Sequence, residues 1–427
     1  MLDIRLIRQD PSFVRNNLKR RGNPEYITLL DTLLKDDQQW RSTLSQLNDL
    51  RHTKNNLTLE IASLKKNNRD ASDKLAIVNN LSHEIKTLEA TVHSLEVQTQ
   101  QALLRLPNLL HPSVPYGTDD RENVEVKQWG EPPQFNFTPK SHIELLTALD
   151  LIDMERAAKV SGAGFYYLKG DLVLLDLAIQ RFAIDFLRKE GFTVIIPPFM
   201  LKRKPYEGVT DLGDFESVMY KVQGEDAYLI ATSEHAMAAM VMDEVLDLTQ
   251  LPIKLCGVSP CFRREVGTHG RYTKGLFRVH QFNKVEQFIF SAPEQSWGLH
   301  EYLQQNSEKL YQALELHYRV VNVCTGDIGS IAAKKYDTEV WMADGQFREI
   351  GSNSNCTDYQ ARRLHIRYRK KKGQSPIGSV HTLNNTALAT SRTMIAILEQ
   401  YQQEDGSIRL PTVLHPYMNG QTKLCKE

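Results

Sequence analysis

A seven-residue apolar repeat near the start is the feature that most restricts how this chain can fold. Trp40, Leu47, Lys54 and Ile61 recur every seven residues, and Leu50, Leu57 and Leu64 each follow the last three by three. After a break, Leu81, Ile85, Leu88, Val92, Leu95, Ala102 and Leu106 fall on a/d positions, with Thr99 the one polar member. A stripe this narrow is the seam of a coiled coil rather than the broad face of a core helix. Between the repeats, Lys65 to Ser72 holds no apolar residue before Ala71 and supplies Asn and Asp for a turn. Two seams joined by a short turn predict an antiparallel hairpin. Helices of roughly 30 residues would give it a reach of about 45 Å at 1.5 Å per residue.

The periodicity stops at Pro107. From there to Pro139 the chain carries Pro112, Pro115, Pro132 and Pro133 with Gly117 and Gly130, which reads as an irregular linker. Beyond about Lys140, short apolar runs such as TVIIP at Thr193 alternate with helical stretches such as TSRTMIAILEQY at Thr390. This mixture predicts an α+β domain with a mainly antiparallel sheet and flanking helices. The expected organisation is therefore a helical arm over 1–107, a linker over 108–140 and a second domain over 141–427. Lysine plus arginine and aspartate plus glutamate both number 52, so bulk charge does not mark a dedicated nucleic-acid binder, although local basic patches remain possible. The N-terminus MLDIRLIRQD has no apolar targeting core and no run of about 18 apolar residues follows. The five cysteines fit no zinc spacing, so reduced thiols in a cytoplasm are the expectation.

Candidate chemistry concentrates in CFRRE (Cys261 to Glu265) and RVHQFNKVE (Arg278 to Glu286), two strand-like runs separated by a glycine-rich basic loop. Alternation would put Arg263 and Glu265 on one face, and Arg278, Phe282 and Glu286 on one face of the partner. Two guanidiniums, two carboxylates and a ring suit a nucleotide: arginines for phosphates, a ring for the base, a carboxylate for its amino group. The same residues also suit an exposed, salt-bridged hairpin, and on their own they leave both readings open. His269 and His280 read as structural or loop residues of this hairpin. The basic run Arg362 to Gly373 reads either as a solvated strand and turn or as an RNA contact.

The R-x-E run, its loop and the K-V-E run resemble motif 2 of the class II aminoacyl-tRNA synthetases in its seryl form. FTVIIPPFM (Phe192 to Met200) resembles motif 1, TSEH (Thr232 to His235) the family's serine-binding T-x-E, REIGSNSNCTDYQARRL (Arg348 to Leu364) its metal-binding strand, and TLNNTALATSRTMIAILEQYQ (Thr382 to Gln402) motif 3. These stretches occur in the family's order and cover most of the chain, and the N-terminal arm lies where this family carries one.

The resemblance implies a class II catalytic sheet, ATP as substrate with Mg²⁺, serine tRNA as acceptor, selenocysteine tRNA as a further acceptor where it exists, and a homodimer. It implies catalytic roles for Arg263 and Arg392, and a serine site of Thr232, Ser233, Glu234, Arg263, Glu286, Asn384 and Thr386. Glu286 would hold the ammonium and Thr386 the hydroxyl. ATP would meet Arg263, Arg264, Glu265, Arg278, Val279, Phe282, Glu349, Ile350, Gly351, Ser352 and Arg392, with Glu349 and Ser352 as metal ligands. Three positions depart from the family pattern: Asn385 and Ser391 stand where glycine is usual, and Gly351 to Asn353 replaces Ser-Ser-Cys. The alternatives are an amino-acid adenylating ligase that loads a carrier protein, which lacks such an arm, the zinc-dependent seryl enzyme of some methanogens, and a non-enzymatic coiled-coil adaptor.

Overall fold

The computed structural model describes residues 1–210, 217–265 and 275–426. The chain divides into two compact units, Met1–Pro107 and Asn108–Glu427.

In the first unit, two short helices that the heptad pattern did not announce precede the hairpin: α1 (Ile4–Gln9) and α2 (Pro11–Lys19). Each begins on an aspartate whose side chain accepts a backbone N–H, Asp3 from Arg5 and Asp10 from Phe13, and Pro11 sits at the first helical position. The long helices are α3 (Glu25–Lys66, 42 residues) and α4 (Ser72–Arg105, 34 residues). At 1.5 Å per residue they run about 60 and 50 Å, longer than the repeat alone implied. The seam is as expected: Leu47, Ile61, Ile85, Leu95 and Ala102 are buried, and Lys54 is half-buried at its seam position. The turn uses Asn68 in the left-handed region (φ 49°) and Asp70, which accepts from Ser72 N at 3.0 Å.

The extra length of α3 lies at its N-terminal end, where the buried residues are Leu30, Leu33 and Asp37. Asp37 is 1 % exposed and accepts from two guanidinium nitrogens of Arg8 and from Nε of Arg41 at 3.0 Å. A buried carboxylate is tolerable only when so paired. Asp37→Ala leaves Arg8 without its partner. It should cost on the order of 2 kcal/mol, below the range for a fully buried pair because both arginines stay part-exposed. Chemical denaturation of the full chain, followed by helix signal, checks this.

The second unit is built on an eight-stranded sheet: β1 (Val124–Trp129), β2 (Thr193–Ile195), β3 (Ile253–Phe262), β4 (Gln281–Ser291), β5 (Tyr318–Asn322), β6 (Lys334–Trp341), β7 (Phe347–Asn355) and β8 (His381–Ala389). The order is β1-β5-β6-β7-β8-β4-β3-β2, antiparallel throughout except for the parallel edge pair β2–β3. The stretch expected as irregular linker thus contributes a strand, β1, to one edge. Around the sheet lie α5 (Asp171–Lys189), α6 (Ser233–Ala239), α7 (Ser296–Ala313) and α8 (Thr390–Gln400). Alternation along β4 separates two cores: Val285 and Ile289 pack with residues of α5, α7 and α8, whereas Phe288 and Phe290 pack with Met237 and Ala238 of α6.

The hairpin of the candidate chemistry is shorter than its sequence suggested. The β3–β4 ladder ends at the pair Phe262 and Gln281. Arg263 N adds one bond to His280 O at 3.0 Å, but Arg264 N turns away to Val218 O at 3.1 Å and Glu265 has a φ of 37°. Arg263, Glu265, Arg278 and Val279 therefore lie beyond the strands, so strand alternation does not set their directions. His280 is structural, its Nδ1 lying 2.8 Å from both Tyr220 Oη and Arg263 O. His269 lies outside the described residues.

Candidate functional site

The register of the central strands sets Thr386 of β8 opposite Glu286 of β4, and Glu286 opposite Gly257 of β3. Asn384 pairs with Phe288 and with Ser354 of β7, and Ser352 pairs with Asp337 of β6. Because side chains alternate, Lys284, Glu286, Thr386, Asn384, Ser354 and Ser352 share one face of the sheet. In the hydrophobic half of that face, α6 packs directly on β3. Gly257 makes this possible, since a Cβ there would lie 2.7 Å from Ser233 Oγ and 2.7 Å from Met237 Cε.

Helix α6 delivers the T-x-E residues. Thr232 is its N-cap and accepts from Glu234 N at 3.2 Å. Ser233 is fully buried, and among the described residues its hydroxyl has no partner. Glu234 accepts from Gln360 Nε2 at 3.1 Å and lines a cavity of about 230 Å³ together with His235, Ser352, Ser354, Cys356 and Asn384. Burial and the neighbouring Glu286 push the Glu234 carboxyl up to about 7, against the pull of Lys284. Burial together with Lys284 and Arg263 pushes His235 down to about 3, so its ring is neutral, and its Nδ1 lies 2.8 Å from Tyr206 Oη. A larger surface hollow of about 800 Å³, at Tyr401, Gln403, Arg409 and Lys423, holds none of these residues.

Glu286, 1 % exposed, is already engaged: Lys284 Nζ lies 2.5 Å from its Oε2, and Thr386 Oγ1 donates to the same oxygen at 3.3 Å. Arg263 Nε donates to Ala231 O at 3.3 Å, and its guanidinium lies over the Phe282 ring at 5.1 Å. Glu265 and Arg278, expected at opposite ends of a nucleotide, meet each other in an ion pair of 3.3 Å. Arg392, from the first turn of α8, donates to Glu349 O at 2.8 Å, lies 3.5 Å from Glu349 Oε2 and covers the Phe277 ring at 4.7 Å. Desolvation in the cleft opposes ionisation of Glu349, but Arg392, Lys335 and Arg263 outweigh it and hold its carboxyl below the ordinary range. Ile350 and Val279 are buried apolar neighbours. Gly351 backs onto Thr386, whose Cβ would lie 3.0 Å from any Cβ added there.

Two of the departures from the family pattern, Asn385 and Asn353, lie on the other face of the sheet. Asn385 Nδ2 donates to Leu303 O at 2.7 Å, and its Oδ1 accepts from Ser307 Oγ at 3.1 Å. Asn353, its cross-strand partner, donates to His300 O at 2.9 Å. Gln287, the partner on the opposite side, donates to Leu303 O and Ser307 Oγ at 3.2 Å each. These three amides clamp α7 to the sheet and leave the site face untouched. Ser391 is buried in the first turn of α8. Sequence reasoning missed Lys284, Gln360 and Gly257. A lysine two residues before Glu286 was legible as a same-face neighbour on a strand, whereas the approach of Gln360 is purely tertiary.

Comparison with known proteins gives two family matches: the tRNA synthetase class II core domain (G, H, P, S and T) over residues 218–401, and the seryl-tRNA synthetase N-terminal domain over residues 1–110. The chain is 54 % identical over 420 residues to a serine–tRNA ligase of Methanospirillum hungatei, covering 98 % of this chain and 99 % of that one. A solved structure of seryl-tRNA synthetase from Pyrococcus horikoshii complexed with ATP superposes with a TM-score of 0.96 at 48 % identity, covering 100 % of both chains. A cytoplasmic serine–tRNA ligase from Naegleria fowleri in complex with AMP superposes at 0.91 with 34 % identity, covering 100 % of this chain and 99 % of that one.

The raised Glu234 carboxyl has a consequence for stability. Its folded value, about 7 against an ordinary 4.5, means that between these pH values the folded chain holds a proton the unfolded chain has lost. Stability should therefore fall as pH rises through this window, by about 1–2 kcal/mol for a part-buried group. Glu234→Gln should remove that slope, read from urea midpoints at pH 5 and 7.5.

Proposed function

The chain belongs to the seryl-tRNA synthetases, the serine–tRNA ligases, and from that membership we propose how its residues divide the reaction. It activates L-serine with ATP, releasing pyrophosphate, and transfers the seryl group to tRNA. Loading of a carrier protein finds no support among the full-length relatives.

Activation joins two anions, the serine carboxylate and the α-phosphate, so the site must neutralise and align them. Arg263 serves both, held by Ala231 O and the Phe282 ring in a fixed plane that suits a bidentate fork. Phe282, Val279 and Ile350 bound the adenine, Glu265 and the backbone at Arg264 accept or donate at its edge, and Arg278 and Arg392 exchange their carboxylate partners for the outer phosphates. The pairs Glu265–Arg278 and Glu349–Arg392 support this, because they hold those arginines in place. Serine lies over Glu286, Thr386 and Asn384 under the cap formed by Thr232, Ser233 and Glu234. The observation that carries this reading is the shared face of Glu286 and Thr386 set by their register, with Glu234 approaching from α6.

The donor chemistry fits Mg²⁺. Glu349 offers a carboxylate and Ser352 a hydroxyl, and the buried Oδ1 of Asp337, opposite Ser352, has no partner among the described residues. No group of three or more His, Cys, Asp and Glu among the described residues could hold a metal, which suits a cation that completes its shell with phosphate oxygens and water. Bound there, it would neutralise phosphate charge during pyrophosphate departure.

Ile196, Met200, Leu174 and Leu177, exposed apolar residues of motif 1 and α5, support a homodimer across this surface. Five unpaired cysteines support a reducing cytoplasm, and no helix among the described residues is long and apolar enough to cross a membrane. The hairpin α3–α4 is the tRNA arm. Its exposed Lys65, Lys66, Arg69 and Lys86 suit RNA phosphates, whereas Arg41 and Arg51 are engaged by Asp37 and Glu89. Serine tRNA is its partner, and selenocysteine tRNA, where present, is a second acceptor.

Serine-dependent ATP–pyrophosphate exchange tests the assignments. Alanine should support exchange at least a hundredfold less well than serine, because without a hydroxyl it gives Thr386 Oγ1, whose own proton goes to Glu286, nothing to accept from; equal rates would overturn the serine seat. Arg263→Lys keeps the charge but not the fork and should lower exchange about a hundredfold. Deleting Lys35 to Leu103 should spare exchange and raise the KM for tRNA steeply. An armless chain that charges tRNA as well as the full one would make the arm structural only.

A further inference from the structure

Lys284 is a buried charged residue with no part in the reaction as described so far. It is 5 % exposed and lies on the site face, two residues along β4 from Glu286 on one side and from Phe282 on the other. Burying an ammonium this deeply is strongly unfavourable unless it is paired, and its partner is Glu286 Oε2 at 2.5 Å. Thr386 Oγ1 donates to the same oxygen at 3.3 Å. Both protein donors thus crowd Oε2, and among the described residues none donates to Oε1. A carboxylate has about four lone-pair sites on two oxygens. Filling one oxygen from inside the protein both locks the rotamer and leaves the other oxygen as a single, directed acceptor.

We propose that Lys284 is a built-in counter-ion that holds Glu286 through Oε2 and so presents Oε1 as the one seat for the serine ammonium, which makes Lys284 a positioning residue for substrate recognition. This rests on the assignment of Glu286 to the ammonium given above. Charge counting supports it. Glu286 and, once its proton is lost, Glu234 set two negative charges facing the seat, and Lys284 supplies one positive charge from within the protein. A substrate carrying one ammonium completes the balance, and a second cationic group would exceed it. Arg263 belongs to the carboxylate and phosphate side, and His235 is neutral in this setting. The elevated Glu234 carboxyl agrees, since the seat is short of one positive charge until substrate arrives.

The test is serine-dependent pyrophosphate exchange by the full-length Lys284→Met, Lys284→Gln and Lys284→Arg variants, with thermal unfolding of each as the control for folding. Lys284→Met should raise the KM for serine at least tenfold while the KM for ATP changes less than twofold, a split that a general loss of structure would not produce. Lys284→Gln carries the same expectation and is the variant to read if methionine prevents folding. Lys284→Arg should bring the serine KM back to within about threefold of the parent. A folded Met or Gln variant with a serine KM within twofold of the parent overturns the inference, as does an arginine variant no better than methionine. Glu286→Gln, measured alongside, separates the two claims. If it leaves the serine KM unchanged, the ammonium assignment itself fails. If it raises that KM while Lys284→Met does not, only the role of Lys284 fails.

Discussion

The backbone register across β3, β4 and β8 is the constraint on which the catalytic unit depends. It sets Gly257, Glu286 and Thr386 in one cross-strand row and Gln287 and Asn385 in the next. A slip of one residue on any of these strands would send the carboxylate into the apolar core and an amide into the site. The cost of such a slip is high on both faces, because each face is chemically committed. One carries Val285 and Ile289 into the core with the buried amides, and the other carries Lys284, Glu286, Asn384 and Thr386 as a polar cluster. The amide clamp from Asn353, Asn385 and Gln287 to α7 adds directional bonds that a purely apolar back face would lack. Asn353 and Asn385, two of the positions that depart from the family pattern, therefore sit where they strengthen the register on the face away from the cleft.

Charge in the cleft is arranged in local pairs. Lys284 meets Glu286, Arg278 meets Glu265, and Arg392 meets Glu349. Pairing gives each cation an opposite charge in a cleft where isolated charge would be costly. Arg263 differs in kind, because it is held by a carbonyl and an aromatic face, neither of which competes with a phosphate for its charge.

The arm follows a simpler logic. Its apolar seam is consumed between α3 and α4, leaving outer faces that are polar and charged. The carboxylate of Asp37, gripped by Arg8 and Arg41, ties the small helix α1 to the base of α3. Neither device involves the sheet, which agrees with the division into two compact units.

The heptads from Trp40 to Leu106 were sufficient to specify the hairpin, because a repeat with one partner and one short turn leaves a single way to bury itself. The ordered run of motifs identified the family and marked Arg263, Glu286, Thr386, Glu349 and Arg392 as candidate site residues. Helices α1 and α2 were hidden because they are too short for periodicity and are announced only by Asp3 and Asp10. Strand alternation at Arg263, Glu265 and Arg278 failed because the ladder ends at Phe262, where Arg264 bonds to a segment 46 positions earlier in the chain, at Val218. What the sequence determined by itself was therefore the arm, the family and the residue types of the site, all of which rest on local spacing. Only the tertiary structure decided that Lys284 occupies one oxygen of Glu286, that Gln360 reaches Glu234 and that Asn385 faces away from the site, since side-chain pairing across strands depends on register and packing.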